Sequence, residues 1–154
     1  MMGLSRQHGP WGVTMSFRFD FDPTTGLLQG SLEGRVTSDD LLDYYRLAMK
    51  CARLKRPRSG ITDMSGITSF EATPQTVREL AAMTPAIPDT DLLRVIVAPA
   101  SDVFGMARMF ESQGEATRPN LHVVRSYKEA LVIVGVQDPK FEPVDLDELR
   151  NADT

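Results

Sequence analysis

Side chains able to carry chemistry are few and scattered in this chain of 154 residues. It has two histidines, His8 and His122, and one cysteine, Cys51. His8 falls in an N-terminal stretch broken by Gly9-Pro10 and Gly12. His122 sits inside an apolar run that reads as a strand, where a packed or solvated ring is expected rather than a metal ligand. Cys51 shares a helical face with Ala48 and Ala52, which favours an inert buried thiol over a nucleophile. One cysteine makes neither a disulfide framework nor a thiolate cluster. There is no glycine-rich phosphate loop, and Gly105 stands alone in a helical pattern, where it would let that helix approach a sheet closely. Catalytic residues, metal ligands and cofactors are therefore all expected to be none.

Four polar residues come nearer to a site. Asp63 and Ser65 end one short strand, and Ser101 and Asp102 follow the next. Ligands of open α/β sheets bind at the carboxyl ends of parallel strands, so the four could line one crevice. The same residue types also cap turns and helix starts. A second group, Phe104, Arg108, Met109 and Ser112, lies on the flank of a helix, off its Val103–Phe110 stripe. Aromatic residues, methionine and arginine are enriched at interfaces. A broad apolar face with a solvated arginine is the competing reading.

The elements that must hold these residues are legible from periodicity. Residues 94–98 form a short β-branched run without polar alternation, as in an interior parallel strand, and Pro99 stops it. Ser101 or Asp102 can cap the next helix, whose Val103, Met106, Ala107 and Phe110 recur at helical spacing until Gly114. Earlier, residues 14–22 alternate: Phe17, Phe19 and Phe21 point one way, Ser16, Arg18 and Asp20 the other. Pro23 to Gly26 is a turn, and residues 27–35 return with Leu28 and Leu32 inward, forming a hairpin.

Thr37-Ser38-Asp39-Asp40 starts a helix whose Leu41, Tyr44, Tyr45, Ala48 and Ala52 make an apolar stripe. The basic residues at its end, from Lys50 to Arg58, suit the negative end of the helix dipole. Residues 60–64 form a third strand and 65–69 a loop. Thr73-Pro74 opens the next helix, with Val77, Leu80, Ala81 and Thr84 inward and Pro85 and Pro88 ending it. Residues 120–125 are the last strand. Ser126 then caps a helix over 127–134, with Glu129 at its third position. One further helical turn is expected at 145–150.

The order is β-β-α-β-α-β-α-β-α. Right-handed crossovers between strands added in one direction put their helices on the same side. The polar row Ser16, Arg18, Asp20 with Gln29, Ser31, Glu33 agrees, since one face of the hairpin must then be wet. The expected fold is α/β: a mixed five-stranded sheet, an N-terminal hairpin followed by parallel βα units, with helices mainly on one face. Residues 1–13 read as a flexible arm, 14–136 as the domain and 137–154 as an acidic tail.

An apolar fraction of 42% with 25% charged residues is that of an ordinary globular domain with a proper core, and a net charge of −4 argues against a nucleic-acid partner. No apolar run approaches the ~20 residues of a membrane span. The first residues lack the apolar segment of a signal peptide, so a cytoplasmic address is expected.

Three segments carry a resemblance. Ile61-Thr62-Asp63-Met64-Ser65-Gly66-Ile67 resembles a strand-and-loop segment of the STAS superfamily. The stretch from Val97 to Met109, with its Ala98-Pro99 and its Phe104-Gly105-Met106-Ala107-Arg108-Met109, resembles a signature of the SpoIIAA-like branch of small bacterial proteins. Val124 to Leu131 resembles that branch's closing segment, with Val132-Ile133 where tryptophan-leucine commonly follows. The likeness spans residues 14–135 and implies a SpoIIAA-like fold. It also implies a non-enzymatic regulatory or protein-interaction module with a protein partner. In the anti-anti-sigma members a serine at the start of the second helix is phosphorylated. Thr73 matches that position, with Pro74 where glycine stands. Phosphate there would suit the helix N-terminus yet repel an acidic partner; capping alone is the other use of the hydroxyl. Some relatives have been likened to the lipid-binding Sec14 (CRAL-TRIO) fold. The alternative is thus a carrier or sensor of a small apolar or lipid-like ligand, and the third reading is an enzyme of unknown type. A homodimer is expected, through the Phe104 helix flank or the edge strand at 14–22.

Overall fold

The computed structural model describes residues 16–86 and 91–151. The expected arm at 1–13, with His8, and the helix-ending Pro88 lie outside the described residues.

The alternating aromatics form β1 (Ser16–Asp22), paired antiparallel with β2 (Leu27–Val36) in unbroken register from Ser16↔Glu33 to Asp22↔Leu27. The turn between them closes on Gly26, whose φ of +79° suits a residue without Cβ and whose N–H donates to the Asp22 carbonyl at 2.8 Å. From β2 the chain repeats one unit three times. Helix α1 (Ser38–Lys55) leads to β3 (Ser59–Phe70), α2 (Pro74–Ala82) to β4 (Leu93–Val97), and α3 (Ser101–Gln113) to β5 (Leu121–Val124). Strands β2 to β5 are mutually parallel. Helix α4 (Tyr127–Val134), β6 (Glu142–Pro143) and α5 (Leu146–Asn151) follow.

The sheet has six strands, in the order β5-β4-β3-β2-β1-β6, rather than the five expected. The sixth strand is a two-residue bridge containing proline, too short for any periodicity. It forms because the outer edge of β1 has unpaired backbone groups: Phe21 pairs with Glu142, and the Val144 N–H donates to the Phe19 carbonyl at 2.9 Å. The edge expected to face a second copy is therefore partly covered by the chain's own C-terminal segment. That segment continues into α5, whose Leu149 is fully buried in the main core. Residues 137–154 thus include packed structure where a tail was expected.

A second difference lies in β3, where the expected loop at 65–69 continues the strand. β2 is ten residues long, and its second half needs a hydrogen-bonding partner. Gly66, Ile67, Ser69 and Phe70 supply one, across two register shifts that bend the pair.

The crossover helices pack as the handedness argument requires. Phe19, Leu28, Leu32 and Val36 meet Leu41, Tyr44, Leu47 and Cys51 of α1, and Ile96 meets Val103 and Ala107 of α3. Helix α4 takes the opposite face, where Ala130 packs with Leu27, Ile61, Val95 and Val97. β4 is covered on both sides, which accounts for its lack of polar alternation. Gly105 is exposed, and a Cβ there would meet nothing within 4 Å, so it does not bring α3 close to the sheet. Val103 and Ala107, on the other side of the helix, make that contact. Among the described residues no helix is long and apolar enough to cross a membrane.

Candidate functional site

Between the sheet and its three crossover helices lies a cavity of about 170 Å³. Its location follows from small residues at inward positions. Ala48 on α1, Ala107 on α3 and Gly30 and Gly60 of the sheet all line it, although the Tyr44 phenol of α1 lies over Gly30. Larger apolar residues complete the lining: Phe19, Leu28, Met64, Ile96, Leu80 and Phe110. Protein interiors seldom leave voids larger than a water molecule.

Polar side chains interrupt the carbon lining at Tyr44 with Thr62, at Arg118 with Tyr45, and at the half-buried Arg94. The first is Tyr44, whose ring stacks on Phe19 with centroids 5.2 Å apart and meets Phe17 edge-on at 5.7 Å. Its hydroxyl shares one hydrogen bond with Thr62 Oγ1, at 3.2 Å, and either atom can donate. Burial pushes the Tyr44 phenol far above its usual range, with the bond to Thr62 opposing and Asp63 adding a smaller push, so it stays protonated.

The second is Arg118, only 3% exposed. Its Nη1 donates to the Ala81 carbonyl at 2.9 Å and to Thr117 Oγ1 at 3.2 Å. Its Nη2 donates to Tyr45 Oη at 3.0 Å and to the carbonyls of Met83 and Leu80 at 3.1 and 3.3 Å. The Phe110 ring lies 4.7 Å from Cζ. Tyr45 in turn donates to the Thr84 carbonyl. The guanidinium thus satisfies carbonyls that the end of α2 would otherwise leave unpaired. No carboxylate among the described residues forms an ion pair with it. Sequence reasoning missed Arg118, which stands in a loop between Thr117 and Pro119 with no periodic context to mark it.

The opposite face is less open than the polar row suggested. Asp20 and Gln29 are both buried. Tyr127 of α4 reaches across and donates to Gln29 Oε1 at 2.6 Å, while the exposed Arg18 pairs with Asp20 at 3.0 Å. Two of that row's six residues are thus buried, Gln29 beneath a helix packed beyond the strands.

Of the four residues expected to line a crevice, Asp63 stands beside Val97 across the β3–β4 pair, and among the described residues hydrogen bonds join only Asp63 and Ser65 to each other. The Ser65 N–H and hydroxyl donate to Asp63 Oδ1 at 3.0 and 2.6 Å, an arrangement that stabilises its own bend. Ser101 and Asp102 are exposed, and no hydrogen bond joins them to Asp63 or Ser65 among the described residues. Neither caps α3, since the N-cap is Ala100 without a side-chain bond and Asp102 Oδ1 accepts from the Val103 N–H at 2.8 Å. Thr73 does cap α2: its hydroxyl accepts from the Thr76 N–H at 3.1 Å, and its own N–H donates to Ser38 Oγ at 3.1 Å.

Phe104 is half-buried beneath two cations, with the guanidinium carbon of Arg125 at 4.0 Å from its ring and that of Arg108 at 6.0 Å. Arg108 also pairs with Glu111 at 3.0 Å; Met109 is partly buried and Ser112 exposed. Cys51 is buried, and burial pushes its thiol up to about 11, away from nucleophilic use. His122 is exposed on β5. Among the described residues no three His, Cys, Asp or Glu side chains converge as a metal ion would need. No protein-family model and no curated protein matches the chain.

Proposed function

We propose that this protein is a non-enzymatic binding module that takes a small apolar molecule between its helices and sheet, as carrier or sensor. The observation that carries this is the cavity: about 170 Å³ lined mostly by carbon. A dry apolar cavity of about 150 Å³ is enough to bind benzene or xenon. The likeness to the SpoIIAA-like branch, some of whose members resemble lipid-binding folds, points the same way. Xenon tests the space without presupposing its natural occupant. Methyl groups of Ala107, Ile96, Val103 and Leu80 should shift saturably under xenon pressure in a methyl NMR spectrum. Ala107→Leu, which fills the space, should remove the response while the protein stays folded. Uniform, non-saturating shifts in the wild type would end this reading, and native mass spectrometry of gently purified protein would report a retained occupant.

One observation favours a second reading, a STAS-like protein-interaction module. Phe104 and its two arginines form a half-exposed aromatic–cation patch of the composition found at interfaces. Phe104→Asp with Arg108→Glu should change the sedimenting species of a homodimer, or abolish capture of a protein partner, without altering the circular dichroism of the domain. Wild type sedimenting as a monomer at tens of micromolar would remove the homodimer.

A further inference from the structure

We infer that the cavity's occupant is a molecule of about six to nine non-hydrogen atoms bearing one hydrogen-bond-accepting oxygen, which seats on the Tyr44–Thr62 hydroxyl pair. This rests on the cavity being a ligand site and adds what kind of ligand it takes. The size follows by scaling from the six carbons of benzene held in about 150 Å³.

The accepting oxygen follows from counting hydrogens. Tyr44 and Thr62 have two hydroxyl hydrogens and share one bond at 3.2 Å, whichever way it runs. One hydrogen is left over, and both residues line the cavity. A buried donor without an acceptor is a standing cost that an occupant's oxygen would relieve. Elsewhere in the lining, Nη1 and Nη2 of Arg118 already donate to carbonyls, Thr117 and Tyr45, and the Tyr45 hydroxyl donates to Thr84.

The Tyr44 phenol is a donor at neutral pH, since burial pushes its pKa further upward.

Acetophenone and cumene test this, being close in shape and differing by the carbonyl oxygen. Each would be titrated into the full chain and followed by methyl NMR at Ala107 and Ile96. Wild type should bind both saturably. Tyr44→Phe/Thr62→Val should weaken acetophenone about three- to tenfold while cumene binds as well or better. Either single variant still leaves one free hydroxyl hydrogen, so if the double variant fails to fold the carbonyl stretch of acetophenone bound to wild type is read instead; it should lie below its frequency in alkane solvent, as a hydrogen-bonded carbonyl does. An unchanged acetophenone-to-cumene ratio, or an unshifted carbonyl stretch, overturns this inference and leaves the cavity reading standing. Failure of both neutral probes to bind folded wild type overturns the cavity reading itself.

Discussion

The Tyr44 phenol occupies the space that a side chain on Gly30 would need. A Cβ built at Gly30 would overlap the hydroxyl oxygen and lie 2.8 Å from Cζ, although the two residues belong to different layers. The glycine lets the phenol reach Thr62 on the neighbouring strand. Gly30→Ala should therefore cost about 1–3 kcal/mol, the usual penalty for forcing extra volume into a packed site. Urea unfolding measures the loss. Gly30→Ala combined with Tyr44→Phe should recover part of it, and no recovery would mean that the clash is not with this hydroxyl.

Arg118 joins the end of α2 to Tyr45 of α1. Arg118→Met removes the donors but keeps much of the volume, leaving buried carbonyls unpaired. Stability should fall by roughly 3 kcal/mol. Arg118→Lys should not restore it, because one ammonium cannot reproduce the fork that reaches Ala81, Met83 and Tyr45 together. A lysine variant as stable as wild type would show that charge alone matters here.

The Asp22 carboxylate is buried at the β1–β2 turn, accepting bonds from the N–H groups of Thr24 and Lys140, at 2.9 and 3.2 Å, and from Thr25 Oγ1 at 2.9 Å. Burial works to raise its pKa, but these bonds outweigh that and hold it below the ordinary value. A depressed folded-state pKa gives stability that is complete above the unfolded-state value and is lost as pH falls through the folded one. Asp22→Asn should thus be less stable than wild type at pH 7. The gap between the two should shrink below about pH 4, near the ordinary aspartate value. Denaturation midpoints at pH 7, 5 and 3 check this, and a gap independent of pH would contradict it.

Leu149 and Arg150 are neighbours on α5 with opposite expectations. Leu149 is fully buried against the α1 side of the core, so Leu149→Ala should cost about 2–5 kcal/mol. Arg150 pairs with Asp43 at 3.4 Å, both half-exposed, and such pairs are worth about 0–1 kcal/mol. Arg150→Ala should be nearly silent in the same unfolding experiment. Equal effects would mean that α5 is held by charge rather than packing.

What the sequence determined by itself is whatever local pattern encodes. The Phe17, Phe19, Phe21 alternation marks a strand facing one core, and the Leu41, Tyr44, Tyr45 spacing marks the helix packed upon it. Thr37, Thr73 and Ser126 mark helix starts because a capping hydroxyl acts within three residues. The sheet's parallel run from β2 to β5 followed from element order and crossover handedness. Tertiary structure alone decided the rest. β6 exists because β1 offered an open edge, and the second half of β3 because β2 was too long to leave unpaired. Gln29 is dry because Tyr127 of α4 reaches across to it. The candidate site belongs to this second group. Tyr44 and Thr62 are 18 residues apart, and Arg118 and Tyr45 are 73 apart. A cavity is where several well-patterned elements fail to fill the space between them, so no one segment's periodicity can announce it.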